Sequence, residues 1–278
     1  MENEKSQDRL NILNKIDEYE RKRLFDQDVE NDPPSRELLP NEVDYLNHKL
    51  KSKVVSKCAF LVARRFMNKA IKNNQLIIKD IIGIENIDNL KTGAMLTCNH
   101  FSPFDSFAMQ IAYESSKKSR KKKMYRIIKE GNFTSFPGFY GFIMRHCNTL
   151  PLSSNYKTMH KFITSVDTAL KNGHLVLIYP EQSMWWNYRK PKPLKAGAFK
   201  FSYKNNVPVV PCFITMKDSE HIGGDGFPIQ EYTIHIGKPI YPDMNKSAQL
   251  ATEELSTKNF EIWKEIYEDT YMKPLTYL

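Results

Sequence analysis

An imidazole and a carboxylate stand five positions apart in the stretch His100-Phe101-Ser102-Pro103-Phe104-Asp105. The stretch comes just after Asn99 and the apolar residues 93–98, so it lies where a strand is expected to end. A histidine whose ring is held by a carboxylate can take a proton from an alcohol near neutral pH. His100 is therefore the candidate catalytic base, and Asp105 is the candidate group that orients its ring.

The spacing of this pair is weak evidence when it stands alone. The chain has seven histidines, and roughly one residue in twenty is aspartate, so about a third of chains this long contain such a pair by chance. The surroundings are more informative, because Ser102-Pro103 predicts a turn and Asp105 then begins a predicted helix. The helix dipole favours a carboxylate at that end, and the turn can fold it back onto His100.

A second candidate element is Ile178-Tyr179-Pro180-Glu181-Gln182-Ser183, which also follows an apolar run. Ligands of α/β proteins bind beyond the carboxyl ends of the strands. We therefore expect Glu181 to meet His100 and Asp105 at one site. The alternative is that Glu181 is a solvated glutamate of a surface loop.

Apolar runs alternate with segments of helical spacing along most of the chain. The runs predict strands at residues 76–78, 81–84, 94–97, 125–128, 175–179, 209–214 and 232–236. Helices are predicted to begin near Asp105 and to cover residues 156–171 and 248–271. This alternation is typical of an α/β domain, which we place at residues 75–278.

Residues 1–74 are predicted to form a separate charged, amphipathic helical segment. We expect a short helix at residues 10–19, a break at Asp32-Pro33-Pro34-Ser35 and a basic helix at residues 46–71. A basic amphipathic helix either lies in an anionic membrane interface or packs on the core with one solvated basic side. The pattern leaves both interpretations open.

The chain carries 41 lysines and arginines against 32 acidic residues, a formal net charge of +9. This balance favours an anionic partner: a phospholipid surface, a phosphorylated substrate or nucleic acid. Nucleic-acid binding is disfavoured, because no recognition motif is visible and the basic run at residues 117–123 lacks interleaved aromatic residues. That run is either a solvated loop or a contact for anionic lipid or a cofactor phosphate.

The cysteines and the apolar stretches exclude further classes. The four cysteines form neither a Cys-x-x-Cys pair nor a cluster with zinc-ligand spacing, so we expect reduced thiols in a cytosolic protein. The N-terminus lacks the apolar region of a signal peptide, and no run approaches the roughly 20 apolar residues of a transmembrane helix. Membrane contact is therefore expected to be peripheral.

Residues 131–144 contain no charged side chain and five aromatic ones. The stretch is too short to span a bilayer. It is suited to line an acyl-binding tunnel, to dip into a membrane interface or to form ordinary core.

Two motifs of this chain resemble those of the glycerolipid acyltransferase family, of the bacterial lysophosphatidic acid acyltransferase type. They are Asn99-His100 followed after four residues by Asp105, and the later Tyr179-Pro180-Glu181. The resemblance extends from about residue 76 to residue 242. Residues 207–211 resemble the fourth block of the family, and residues 236–240 resemble its closing strand and turn. The order and spacing of these blocks are far more specific than any one of them.

The resemblance implies a fold and a reaction. The fold is a single acyltransferase domain with a mixed sheet flanked by helices, preceded by the N-terminal helical segment. An acyl group moves from coenzyme A or acyl carrier protein, each a substrate, to the free hydroxyl of a lysolipid. The default acceptor is 1-acyl-sn-glycerol 3-phosphate, which gives phosphatidic acid in phospholipid biosynthesis.

The resemblance also implies roles and surroundings. His100 is the base, and Asp105 stabilises its protonated ring, with the substrate alcohol in the place of a catalytic serine. No resident cofactor, metal or nucleic-acid partner is implied. The partners are the lysolipid, the acyl donor and a membrane surface, and we expect the protein at the cytoplasmic side of the cell membrane.

Two positions depart from the family pattern. Ser153 stands where the second block has an arginine, and Met184 stands where the third block has another. In the family these arginines are thought to hold the phosphate of the acceptor, a task suited to the guanidinium fork. Their loss makes a different lysolipid, such as a glycolipid or a zwitterionic lysophospholipid, an alternative acceptor. A non-catalytic lipid-binding or membrane-tethering protein is the alternative from another class.

The remaining candidate residues are assigned to substrate binding. Those expected to contact substrate are Asn99, Glu181, Gln182, Ser183 and Ser153. Cations near the motifs that could replace the missing arginines are Arg145, Arg189, Lys192 and Lys195. Trp185-Trp186 suits a sugar, a headgroup or a membrane interface, with ordinary packing as the alternative. We expect His100 and Asp105 to be exposed at a cleft.

Overall fold

A mixed sheet is the framework of the molecule. The computed structural model describes residues 5–31 and 35–278, so most of the break expected at residues 32–35 lies outside the described residues. The strands are β1 Ile77–Ile82, β2 Ala94–Thr97, β3 Met124–Ile128, β4 Thr149–Pro151, β5 Leu175–Ile178, β6 Val209–Ile222 and β7 Pro228–Ile236. They lie in the order β1-β7-β6-β2-β5-β3-β4. Neighbouring strands are parallel, except β6 and β7, which are antiparallel.

Helices connect and flank the strands. They are α1 Gln7–Arg21, α2 Leu50–Lys72, α3 Glu85–Asp88, α4 Asp105–Ser115, α5 Glu130–Thr134, α6 Gly138–His146, α7 Tyr156–Lys171, α8 Gly197–Asn205 and α9 Ala248–Tyr271. The predicted α/β class, the mixed sheet flanked by helices and the N-terminal helix are confirmed.

The central strands β2 and β5 bring two loops together. Every residue of β2 and three of the four residues of β5 are buried. Short runs that are buried on both faces are typical of parallel strands covered by helices on both sides. Thr97, the last residue of β2, is paired in register with Ile178, the last residue of β5. The loops that follow, which hold His100 and Glu181, therefore leave the sheet side by side.

Helices on opposite faces fix the position of these strands. Successive residues of β2 point to opposite faces of the sheet. Leu96 packs in a cluster with Ala108 of α4. Met95 packs in another cluster with Phe162 and Val166 of α7. Because α4 is anchored on the sheet, the helix start at Asp105 is held close to the end of β2.

The N-terminal segment packs against the loop that follows β5. Ile16, Phe25 and Val29 are buried in one cluster with Trp185. Leu38, further along the segment, is fully buried as well. The domain boundary predicted at residues 74–75 stays a prediction, but the described residues on its N-terminal side contribute to the packed body.

Several local features differ from the predicted elements. β4 has only three residues, too few for a periodic pattern to show. The strand expected at residues 81–84 is the end of β1, and the chain leaves it at Gly83, where φ is +82°. Residues 131–144 form most of α5 and α6, on either side of Pro137. The basic run begins as a short 3-10 helix, Lys117–Arg120.

The substitution Phe25→Ala tests how firmly the N-terminal segment is held. The ring is 8% exposed and contacts the rings of Trp185 and Tyr277, with centroids 5.7 and 4.9 Å away. We expect the free energy of unfolding to fall by about 3 kcal/mol, the usual cost of truncating a buried phenylalanine, and urea denaturation measures it. The control is Leu24→Ala, at a neighbouring side chain that is 38% exposed. Equal losses for the two variants would contradict the prediction.

Candidate active site

The structure brings His100 and Asp105 into direct contact. The imidazole Nδ1 lies 2.6 Å from Oδ2 of Asp105. The same oxygen accepts hydrogen bonds from the backbone N–H groups of Phe101 and Ser102, at 3.2 and 3.4 Å. When Nδ1 donates to the carboxylate, the lone pair of Nε2 is left to accept a proton. The turn between the two residues thus forms as the Ser-Pro sequence predicts.

Asp105 is buried, so the expectation that both groups are exposed is wrong. Its side chain is 1% exposed, whereas that of His100 is 24% exposed. α4 begins at Asp105, and its first turn draws the carboxylate inward while the helix dipole favours the negative charge. Of the pair, only the ring of His100 can meet a substrate.

An aromatic ring holds the imidazole from one face. Tyr179, directly after β5, stacks on His100 with ring centroids 4.3 Å apart and planes at 24°. Burial raises the pKa of the Tyr179 phenol well above its usual range, and the charge of Asp105 raises it further, so the phenol is neutral. The hydrogen bond to Asp105 at the edge of the imidazole and the stacking of Tyr179 on its face therefore fix the orientation of His100.

Glu181 links the loop after β2 to the loop after β5, and it is not a solvated loop residue. It is buried, and its two oxygens accept hydrogen bonds from the backbone N–H groups of His100 at 3.1 Å and Lys192 at 2.7 Å. The predicted convergence of Glu181 with His100 and Asp105 is therefore present in the structure.

A buried lysine accompanies this carboxylate. The ammonium of Lys192 lies 4.0 Å from Glu181 and donates to the carbonyl oxygen and the hydroxyl of Ser183. Burial raises the pKa of Glu181 and lowers that of Lys192 to about 8, while their mutual attraction opposes both shifts. Lys192 thus binds Glu181 and Ser183 within the loop after β5.

Other residues expected at the substrate help to build the site. The amide of Asn99 donates to the carbonyl oxygen of Ile214 at 3.0 Å and accepts from its N–H group at 2.8 Å, which links β2 to β6. The hydroxyl of Ser183 donates to the carbonyl oxygen of Phe25. Gln182 is exposed in the turn, with φ +66°. Contact of these residues with substrate stays a prediction, for which Gln182 is the best placed.

Each of the four cations proposed to replace the missing arginines has a partner within the protein. Arg145 donates to backbone carbonyl oxygens of α5 and the loop after it. Arg189 pairs with an aspartate of β6, and Lys192 is buried as described. The ammonium of Lys195 is half exposed and lies 2.9 Å from Asp26. Lys195 is therefore the best placed of the four to meet a ligand.

Ser153 is enclosed by protein. Its hydroxyl lies 3.0 Å from the carbonyl oxygen of Leu38 and 2.8 Å from the carboxylate of Glu130. Glu130 also accepts hydrogen bonds from the backbone N–H groups of Leu38 and Ser154. The position where the family has an arginine is thus filled by a serine bonded to a glutamate and to the N-terminal segment. Contact of Ser153 with substrate stays a prediction.

Lys129 lies at the same edge of the sheet and is not among the residues expected there from the sequence. It is the first residue after β3, the neighbour of β5, and its ammonium lies 2.8 Å from Asp28. The rule that singled out Glu181, a charged residue soon after an apolar strand, applies equally to Lys129. Asp28 gives no comparable signal, because no apolar strand pattern precedes it.

Trp185 and Trp186 pack inside the protein, so the interpretations that need exposed rings are wrong. Their exposed fractions are 0% and 8%. The indole N–H of Trp185 donates to the carbonyl oxygen of Gln27 at 2.9 Å. Trp185 therefore secures the N-terminal segment to the loop after β5.

Half-buried aromatic rings lie beside the turn that carries the catalytic candidates. Phe104 directly precedes Asp105, and its ring stacks on that of Phe66 from α2 with centroids 6.4 Å apart. Phe66 also contacts Phe139 and Tyr140 of α6, with centroids 4.9 and 6.1 Å away. We refer to Phe66, Phe104, Phe107, Phe139 and Tyr140 as the aromatic cluster.

Residues 80–215 match the family model described as Acyltransferase, a range that contains His100, Asp105 and Glu181. The match covers just under half of the chain. The fold of the chain is similar to the crystal structure of the 1-acyl-sn-glycerophosphate (LPA) acyltransferase, PlsC, from Thermotoga maritima. The TM-score is 0.55 and the sequence identity 19%, over 84% of this chain and 87% of that chain. The comparison with curated proteins gave no match.

Substitutions at Tyr179 test whether its ring positions the base. Tyr179→Ala removes the stacking surface, and we expect kcat for acyl transfer to fall at least about tenfold as the imidazole gains freedom. Tyr179→Phe keeps the ring and should retain activity within about twofold of the parent. Steady-state kinetics measure both, and thermal denaturation checks the folding of each variant. A Phe variant as slow as the Ala variant would assign the effect to the hydroxyl and refute the stacking role.

Proposed function

We propose that this protein is an acyltransferase, which moves a fatty acyl group from an acyl thioester to the free hydroxyl of a lysoglycerolipid. The observation that carries the proposal is the contact of 2.6 Å between Nδ1 of His100 and Oδ2 of Asp105, at the carboxyl end of β2. The donor is acyl coenzyme A or acyl-acyl carrier protein, and the enzyme needs no resident cofactor. PlsC is described as acting on 1-acyl-sn-glycerophosphate, so this lysolipid is the first acceptor to test. The uncharged Ser153 and Met184 favour another lysolipid as the second.

The pair can perform this reaction in two balanced steps. Nε2 of His100 takes the proton of the lysolipid hydroxyl while the oxygen attacks the thioester carbonyl, giving a tetrahedral oxyanion. The oxyanion collapses, the carbon–sulfur bond breaks, and the imidazolium returns the proton to the departing thiolate. The buried carboxylate of Asp105 holds the ring and stabilises the imidazolium between the two steps.

The aromatic cluster is placed to receive acyl chains. Phe104 belongs both to the cluster and to the turn between His100 and Asp105, so the apolar surface begins next to the base. Tyr140 of the cluster is 43% exposed. An acyl chain on this surface would remove apolar area from water close to the reacting carbonyl. This gives part of residues 131–144 the acyl-binding role, while the buried Phe133 belongs to the core.

Substitution of either member of the pair should abolish most of the activity. We expect His100→Ala to lower kcat by about 10²–10⁴-fold, the usual contribution of a general base. Asp105→Asn should cost a similar factor, because an amide cannot stabilise the imidazolium as a carboxylate does. Purified protein is incubated with radiolabelled acyl donors and a panel of lysolipids, and thermal denaturation confirms that the variants fold. Absence of any transfer that depends on His100 would support the non-catalytic lipid-binding alternative.

We further propose that the enzyme works at the cytoplasmic side of the cell membrane and that α2 is the contact. One side of α2 packs on the protein through Ala59 and Ala63. A stripe on another side holds Leu50, Val54 and Leu61, each more than half exposed. Among the described residues, no helix is both long and apolar enough to cross a membrane. The exposed apolar stripe and the lysines around it are suited to an anionic bilayer surface.

Replacement of the stripe tests this contact. The triple variant Leu50→Ser, Val54→Ser, Leu61→Ser should bind vesicles with 30% anionic lipid about tenfold more weakly, since each lost side chain removes apolar area from the interface. Vesicle co-sedimentation measures the partition coefficient. Leu250→Ser in α9, where the side chain is 56% exposed, is the control for loss of an exposed leucine. Equal weakening by the control would contradict a role specific to α2.

A further inference from the structure

Two exposed ion pairs, which we call the rim, join the N-terminal segment to the loops that follow β3 and β5, at the same edge of the sheet as His100. Lys195 contacts Asp26 at 2.9 Å, and Lys129 contacts Asp28 at 2.8 Å. All four side chains are between 42% and 49% exposed. Each lysine belongs to the domain, whereas each aspartate comes from the N-terminal segment.

Both pairs are close to the loop that contacts the catalytic candidate. The backbone N–H of Lys195 donates to the carbonyl oxygen of Pro180, the residue before Glu181. Lys129 follows the strand that neighbours β5. After burial and Glu181, the charges that affect the buried ammonium of Lys192 are those of Asp28, Lys129 and Asp26. Both pairs therefore lie near the buried lysine that pairs with Glu181.

The backbone that carries the two aspartates is fixed. We call residues 25–29 the N-terminal strap. The carbonyl oxygen of Phe25 accepts from the Ser183 hydroxyl, and that of Gln27 accepts from the Trp185 indole, each at 2.9 Å. Phe25 and Val29 are buried. The carboxylates between these anchors therefore stay at the rim when a ligand arrives, and only their side chains need to move.

The charges at this rim do not suit a phosphate monoester. The charges of the two lysines and the two aspartates sum to zero. Ser153 and Met184 add no charge at the positions where the family has arginines. Glu130 places a further carboxylate beside Ser153. A phosphate monoester carries about −1.5 to −2 near pH 7, and the rim has no excess positive charge to compensate it. A headgroup with one negative and one positive charge finds a partner of opposite sign for each.

We propose that Lys129, Lys195, Asp26 and Asp28 form a binding site for a zwitterionic acceptor headgroup, a phosphodiester joined to an ammonium group. The lysines take the phosphodiester, the aspartates take the ammonium, and the aspartates reject a phosphate monoester by repulsion. Exposed ion pairs are weak in water, so the existing pairs open readily for such a headgroup. This inference rests on the proposed acyl transfer to a lysolipid and names the class of acceptor.

The experiment compares two acceptors with the same acyl chain, lysophosphatidylethanolamine and lysophosphatidate, in neutral detergent micelles. The parent enzyme should show the higher kcat/KM with lysophosphatidylethanolamine. In the double variant Asp26→Asn, Asp28→Asn the ratio of the two values should move about tenfold toward lysophosphatidate, mainly through KM. The matched control is Asp17→Asn, Glu18→Gln, which removes two exposed charges from α1 of the same segment and should leave the ratio unchanged.

The outcomes separate this inference from the proposed function. A parent enzyme that prefers lysophosphatidate, or a ratio that does not move in the Asp26/Asp28 variant, overturns the inference and leaves acyl transfer intact. No turnover with any acceptor overturns the proposed function. In that case equilibrium binding of the two lysolipids to the His100→Ala variant, with and without the two Asn substitutions, still tests the headgroup site. Equal affinities in that measurement overturn it.

Discussion

The buried carboxylate of Glu181 is the contact on which the geometry of the site depends. Two loops leave neighbouring parallel strands, and the N–H groups of His100 and Lys192 need acceptors there. One carboxylate serves both, and charged acceptors make the stronger hydrogen bonds. The positive charge of Lys192 offsets the cost of burying the carboxylate of Glu181. Because the backbone of His100 is fixed in this way, the contacts of its ring with Asp105 and Tyr179 can define a single orientation.

The parts of the site that sequence predicts are those set by local pattern. The apolar runs of β2 and β5 are buried on both faces, and their common direction places His100 and Glu181 at one edge of the sheet. The turn before Asp105 and the helix start follow from Ser102-Pro103 and the residues after it. Even the contact between the ring of His100 and the carboxylate of Asp105 follows from local sequence, because the two residues are only five positions apart.

The parts that sequence does not predict depend on contacts between distant residues. Ser183 meets Phe25 across 158 positions, and Ser153 meets Leu38 across 115. No periodicity within the N-terminal segment encodes such a partner, so the segment looks like a separate appendage. The same absence explains the interpretation of Trp185 as an exposed ring, since its covering residues lie far away in the sequence. Lys129 differs, because its place directly after the apolar strand β3 is a local pattern that sequence does show.

The N-terminal segment contacts the last residues of the chain, and this large separation in sequence has a consequence for folding. The ring of Phe25 contacts that of Tyr277, and the N–H of Leu278 donates to the carboxylate of Glu20 across 258 positions. Contacts of such separation carry a large loop-closure entropy, and the pairing of β2 with β5 spans far less chain. We expect the pairing of β2 with β5 to form first and the strap to dock afterwards. During that interval the chain would hold His100 beside Glu181 before the strap places Asp26 and Asp28 beside Lys195 and Lys129.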